Sequence, residues 1–213
     1  VSRSNEFDRC QTPPYALDPI LPYLSGTVWE CAAGEGSLSM ALEKLGFKVV
    51  ASDILRGQDF FRWQPESFDC IVTNPPYSSK FEWLERCYQL GKPFALLLPV
   101  ETVGANKAQR LFEKHGVEVV FMNRRVNFKM PRKGLDGAGA WFPTAWFTHG
   151  LGIGQQMTFA KIEYRNDEQM SLFPMAHPTK RAVDAGDSPA QLAFSTPEVL
   201  SNAQAESTPA LRH

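Results

Sequence analysis

At 213 residues with 43% apolar side chains, the chain can fill one hydrophobic core, and nothing in its length demands a second domain. Four cysteines and four scattered histidines lack the paired spacing of a zinc site, and the longest apolar runs fall far short of the roughly 20 residues of a membrane helix. The net charge of −1 hides an asymmetry, since 19 Lys and Arg face 17 Asp and Glu up to Arg165, against 3 and 6 from Asn166 onward.

The opening "VSRSNEFDRC" is too polar for a signal peptide, and the expectation is a soluble cytoplasmic protein with reduced thiols and no metal. From residue 27 apolar runs alternate with helical patterns. "TVWECAA" and "KVVASDI" read as buried strands, and between them "SLSMALEKLG" carries Leu38, Leu42 and Leu45 at helical spacing with Gly46 as a stop. "FDCIVTN" reads as the next strand, "SSKFEWLERCYQLG" as a helix, "PFALLLPV" as a strand, "ETVGANKAQRLFEKHG" as one helix and "VEVVFM" as a strand. "TAWFTHGL" and "QMTFAKIEY" are expected to add late strands that turn antiparallel. This alternation predicts a doubly wound α/β fold with a mostly parallel sheet and ligands at the carboxyl ends of its strands. Residues 1–165 form this domain, and residues 166–213, rich in Pro, Ser, Ala and Gln, read as a disordered acidic tail.

Three stretches carry chemistry. After the first strand, Glu30 to Gly36 places Gly34 and Gly36 where main-chain amides approach a ligand and open a helix. The next strand ends in Asp53, a carboxylate suited to two ribose hydroxyls, and a dinucleotide enzyme shows the same pair. Asp59 and Phe60 follow, with a carboxylate for an exocyclic amine and a main-chain amide for a ring nitrogen. The third stretch is "NPPY", Asn74 to Tyr77, at the point where a fourth strand is expected to end. Its two prolines fix φ and remove two donors, so the carbonyls of this corner are left for another partner.

This corner resembles the catalytic signature of the S-adenosylmethionine-dependent amino-group methyltransferases, closest to the DNA adenine-N6 type. The order of parts matches over about residues 11 to 150. The resemblance implies a class-I methyltransferase fold, Rossmann-like, with S-adenosylmethionine as cofactor. In that reading Thr12 and Pro13 of "QTPPY" lie along the cofactor's methionine. Glu30, Ala32, Gly34 and Gly36 form its glycine loop, Asp53 with Ile54 takes the ribose, and Asp59 with Phe60 takes the adenine. The Asn74 side-chain oxygen and the Pro75 carbonyl would each accept one hydrogen of the adenine amine, aiming its lone pair at the methyl group. Pro76 stiffens the corner, and Tyr77 stacks on a base that has left the duplex. "RRVNFKMP" looks like the segment that supplies a second ring, Phe128, with Arg124, Arg125, Lys129, Arg132 and Lys133 meeting phosphates. "KGLDGAGAWFP" reads as a closing loop.

A lean body with only residues 78–80 and 129–143 available for recognition predicts weak or short sequence preference and fits a phage or prophage enzyme. In the tail, Gln169, Met170, Ser171, Leu172 and Phe173 resemble the peptide by which bacterial proteins dock on the DNA sliding clamp. Methylation of an RNA base or of a protein glutamine uses a similar corner and stays open, as does a binding module without catalysis.

Overall fold

The structure is a computed structural model that describes residues 10–129 and 142–164. Seven strands form one sheet: β1 (Thr27–Glu30), β2 (Lys48–Ala51), β3 (Cys70–Thr73), β4 (Phe94–Pro99), β5 (Glu118–Met122), β6 (Thr144–His149) and β7 (Met157–Ala160). Among the described residues three α-helices intervene: α1 (Ser37–Lys44), α2 (Lys80–Leu90) and α3 (Asn106–His115). The sheet order is β2-β1-β3-β4-β6-β5-β7. The first four strands in that order are parallel. β6 runs against both of its neighbours, β4 and β5.

Side chains on a strand alternate between faces, and here the alternation sorts the core into two layers. Val28, Cys70, Val72, Ala95, Leu97, Val120 and Trp146 pack with Leu38, Ala41 and Leu42 of α1 and with the turns after Pro14 and Leu21. Trp29, Ile71, Phe94, Leu96, Leu98, Val119, Ala145 and Phe147 pack with Trp83, Leu84, Cys87 and Tyr88 of α2 and Ala108 of α3. Both faces are therefore covered, which is the doubly wound arrangement that the near-continuous apolar runs foretell. Cys31, Cys70 and Cys87 are buried, whereas Cys10 is half-buried.

Three expectations need correction. The segment from residue 101 to 116 is not one helix, because a 3-10 turn (Val100–Gly104) precedes an extended Ala105 and then α3. β-branched Val100, Thr102 and Val103, followed by Gly104, are weak helix formers, and the chain breaks there. β7 pairs parallel with β5, not antiparallel. Because β6 descends between β4 and β5, the next ascending strand reaches the sheet on the outer side of β5. The Asn74 corner, finally, follows the third strand and not a fourth, since residues 52–69 join β2 to β3 without a strand.

Three long-range ties close the fold around its first segment. Gln11 and Lys129 exchange main-chain bonds of 2.9 and 3.0 Å. The Trp146 indole donates to the Ala16 carbonyl at 2.7 Å, and the Asn127 amide to the Tyr15 hydroxyl at 2.9 Å.

Candidate functional site

The carboxyl ends of β2, β1, β3 and β4 stand side by side, followed by Asp53, the glycine loop, the Asn74 corner and Val100 respectively. The glycine loop is tied to the end of β2. Ser52 donates to the Glu30 carbonyl at 2.9 Å, and Ala33 donates to the Ser52 carbonyl at 3.0 Å. Gly34 and Gly36 have φ of 52° and 90°, a left-handed backbone that other residues adopt at a cost. A side chain at Gly34 would also come within 3.0 Å of the Gln11 amide nitrogen.

Asp53 is buried, and its carboxylate organises this region before any ligand arrives. One oxygen accepts from the Gly34 amide and the other from the Leu55 amide, both at 2.8 Å. A carboxylate has about four lone-pair sites, so acceptance from two amides leaves capacity for ribose hydroxyls. Asp53→Ala would strand both amides and is expected to destabilise the fold by about 1–3 kcal/mol. Urea unfolding checks this, and an unchanged midpoint would contradict the tie. Beyond Asp53, Ile54 and Leu55 are 68% and 75% exposed, an apolar pair open to solvent at the site's edge. Thr12 and Pro13 are buried, and the Thr12 carbonyl accepts from the Ser37 hydroxyl at 2.7 Å at the start of α1.

Glu30 is only 1% exposed. Its oxygens accept from the Ser39 hydroxyl at 2.8 Å and the Thr73 hydroxyl at 3.0 Å, joining α1, β1 and the end of β3. Burial pushes its carboxyl up to about 7, against the two hydroxyl bonds that favour the charged form. Asp53 adds to the rise and Arg56 opposes it. Glu30, a cofactor contact in the resemblance, has its carboxylate between α1 and the end of β3, where it joins the glycine loop to the corner. Ala32 is half-buried against the aromatic layer.

At the corner Pro75 is buried, and the Pro76 carbonyl accepts from Ser79 at 3.2 Å. The Asn74 side-chain oxygen is buried and has no hydrogen-bond partner among the described residues. Such a group costs about 1–3 kcal/mol, and a fold retains it for a reason. Two further buried oxygens without a partner, the Thr102 and Thr144 hydroxyls, belong to segments on the same end of the sheet. Thr144 pairs with Pro99, and Val100 donates to the Pro143 carbonyl at 2.9 Å. Single threonines in apolar context gave no signal for them.

The rings are arranged differently from the sequence expectation. Phe128 is 5% exposed and lies in the core with Val126 and Trp146, not at a mouth. Its main chain is fixed by Asn127 bonding Tyr15 and by Lys129 pairing Gln11, which turns the Phe128 ring inward. Phe142, which the sequence reading took only as part of a loop, stands edge-on to Tyr77 with ring centroids 5.7 Å apart. The Phe60 ring stacks on Trp83 at 4.1 Å within an aromatic layer that includes Trp29, so only its main chain remains for a ligand. Asp59 accepts from the Phe61 amide at 3.0 Å and lies 3.8 Å from Arg62. Arg124, Arg125 and Lys129 are exposed. The Arg124 guanidinium lies 5.3 Å over the Tyr164 ring, and the Tyr164 hydroxyl donates to the Arg125 carbonyl. Arg132, Lys133 and the tail peptide Gln169 to Phe173 lie outside the described residues.

No protein-family model and no curated protein matches the sequence. Among solved structures, the chain is similar to the methyltransferase subunit of a type I restriction-modification system from Streptococcus thermophilus, at 15% identity and a TM-score of 0.48. That match covers 72% of this chain and 47% of the other, so the chain spans about half the length of that subunit. It is also similar to a predicted O-methyltransferase from Agrobacterium tumefaciens, at 14% identity, 71% and 86% coverage and a TM-score of 0.41.

Proposed function

We propose that the protein transfers a methyl group from S-adenosylmethionine to the N6 amine of an adenine extruded from DNA. The observation that carries this is the Asn74 side-chain oxygen, buried without a partner one residue beyond β3. That edge of the sheet also holds the glycine loop and the Asp53 carboxylate. An amide oxygen left unpaired there suits a ligand that brings its own N–H.

The cofactor fits the residues present. Left-handed Gly34 and Gly36 let main-chain amides approach it, Asp53 retains acceptor capacity for a ribose, and Ile54 and Leu55 offer an apolar face for a purine. When bound, S-adenosylmethionine supplies an electrophilic methyl carbon. The chain's own part is to hold the amine. Asn74 and the Pro75 carbonyl each take one hydrogen, which turns the nitrogen from planar toward tetrahedral and directs its lone pair. A strong base is not required: as the N–C bond forms, the S–C bonding pair would leave with the thioether, and the nitrogen would then give its extra proton to water. Tyr77, steadied by Phe142, takes the face of the base, while Arg124, Arg125 and Lys129 meet phosphates, joined by Arg132 and Lys133. Few segments remain to read neighbouring bases, so sequence preference is weak or short.

Incubation with labelled cofactor and DNA, RNA or protein, followed by digestion, tests the reading. N6-methyladenine in DNA is the expected product. Label only in RNA or in protein glutamine would move the substrate class, and cofactor binding without transfer to any of them would make the chain a binding module. In the tail, Gln169 to Phe173 dock on a sliding clamp. Deleting them is expected to abolish clamp capture while leaving turnover on short oligonucleotides unchanged, and capture that survives deletion would end that assignment.

A further inference from the structure

The register of β3 on β4 sets Ile71 against Phe94 and Thr73 against Leu96. The Ile71 amide donates to the Pro93 carbonyl at 2.9 Å. Main-chain groups on a strand point alternately to its two neighbours. Ile71 and Thr73 on β3 therefore face Pro93, Ala95 and Leu97 on the other strand, and the same alternation carried past the end of β3 sets Pro75 toward Pro99. The opposite side of β4 agrees, since Val100 donates toward β6, to the Pro143 carbonyl. Residue 99 is thereby turned to β3.

One rung past Thr73, a regular ladder needs two bonds. The amide of residue 75 would donate to the Leu97 carbonyl, and the amide of residue 99 to the Pro75 carbonyl. Both nitrogens belong to prolines, and neither can donate. Pro75 accounts only for the first lost bond. The second, which would occupy the Pro75 oxygen, is removed by Pro99, a buried residue at the last position of β4.

We infer that Pro99 is a positioning residue that keeps the Pro75 carbonyl oxygen free of a main-chain partner, open to the amine of the incoming base. The role of the amine rests on the function proposed above. The freedom of the oxygen does not. Pro99 thus acts by lacking a donor, across a strand boundary from the corner that it serves. A proline serving only to end β4 would not need to face β3, and its replacement would not affect Pro75.

The test is P99A in the full chain, with P99V as a second, strand-compatible replacement. Each restores an amide at position 99. Hydrogen exchange is measured at that amide without any substrate, alongside melting temperature and transfer to an adenine-containing duplex oligonucleotide. The expected result is an amide that exchanges as slowly as its strand neighbours, an unchanged or higher melting temperature, and turnover lowered about tenfold by the competing bond. Fast exchange at position 99 in both variants would overturn the inference, as would slow exchange with full turnover. Falling stability and turnover together, without slow exchange, would also overturn it by reducing Pro99 to a packing residue. If the unaltered protein transfers no methyl to nucleic acid, the proposed function fails. Exchange alone then decides whether Pro99 holds the oxygen open.

Discussion

Asn74→Ala is expected to lower methyl transfer about a hundredfold or more, the scale seen when one preorganised polar contact to a reacting group is removed. The same change is expected to leave the melting temperature at or slightly above its original value. Two observations set these opposite signs. The Asn74 oxygen is buried and unpartnered in the protein alone, so its removal relieves a desolvated acceptor and breaks no bond of that oxygen. In the reaction proposed above, however, it is half of the pair that holds the amine. Asn74→Asp, which keeps an oxygen in place, is expected to retain more activity than the alanine variant. Single-turnover assays and calorimetry check the pair of results. Full transfer by Asn74→Ala would remove Asn74 from the mechanism, and a large loss of stability would show that the oxygen is part of the fold.

Glu30→Gln is expected to give the largest change in stability, and its sign depends on pH. Burial raises the folded-state value of Glu30 to about 7, from an ordinary 4.5. Between these two values the unfolded chain has lost the proton while the folded chain keeps it. Glu30 therefore favours the folded state most fully below the unfolded value. That contribution falls as pH rises through the window, by about 1.4 kcal/mol per unit and about 3 kcal/mol across it. A glutamine has no such proton, and it still offers an oxygen to one hydroxyl and an N–H to the other. The variant is thus expected to match the original near pH 4 and to exceed it at pH 8. Melting curves of both proteins from pH 4 to 8 isolate the residue from other titrating groups. Equal pH profiles would mean that Glu30 is charged in the fold at lower pH than its burial implies.

Much of this architecture is legible in the chain itself. The runs around Val28, Ile71 and Leu96 are apolar without a polar face, which predicts strands covered on both sides, and Gly46 and Gly91 mark the ends of α1 and α2 as left-handed stops. The ordering of glycine loop, acid and proline corner also follows, because each is set by its own local pattern. What stays hidden depends on partners far along the chain. The bonds from Thr73 and Ser39 that define the role of Glu30 span 43 and 9 residues. The inward turn of Phe128 depends on Gln11 and Tyr15, and the relation inferred between Pro75 and Pro99 emerges only once the register of β3 on β4 is known. The choice between Phe128 and Phe142 illustrates the limit. Phe128 stands between Asn127 and Lys129 and Phe142 between Trp141 and Pro143, yet tertiary packing sends the first into the core and the second toward Tyr77.

The ties that hold the first segment have a consequence for how the molecule comes into being. Tyr15 meets Asn127 across 112 residues and Ala16 meets Trp146 across 130. Contacts so distant in the chain form late, after the more local strand and helix units have assembled. On the ribosome the segment bearing Thr12 must therefore wait, exposed, until β6 emerges. A nascent chain halted before Trp146 would hold a half-built sheet whose first segment lacks its tie to β6.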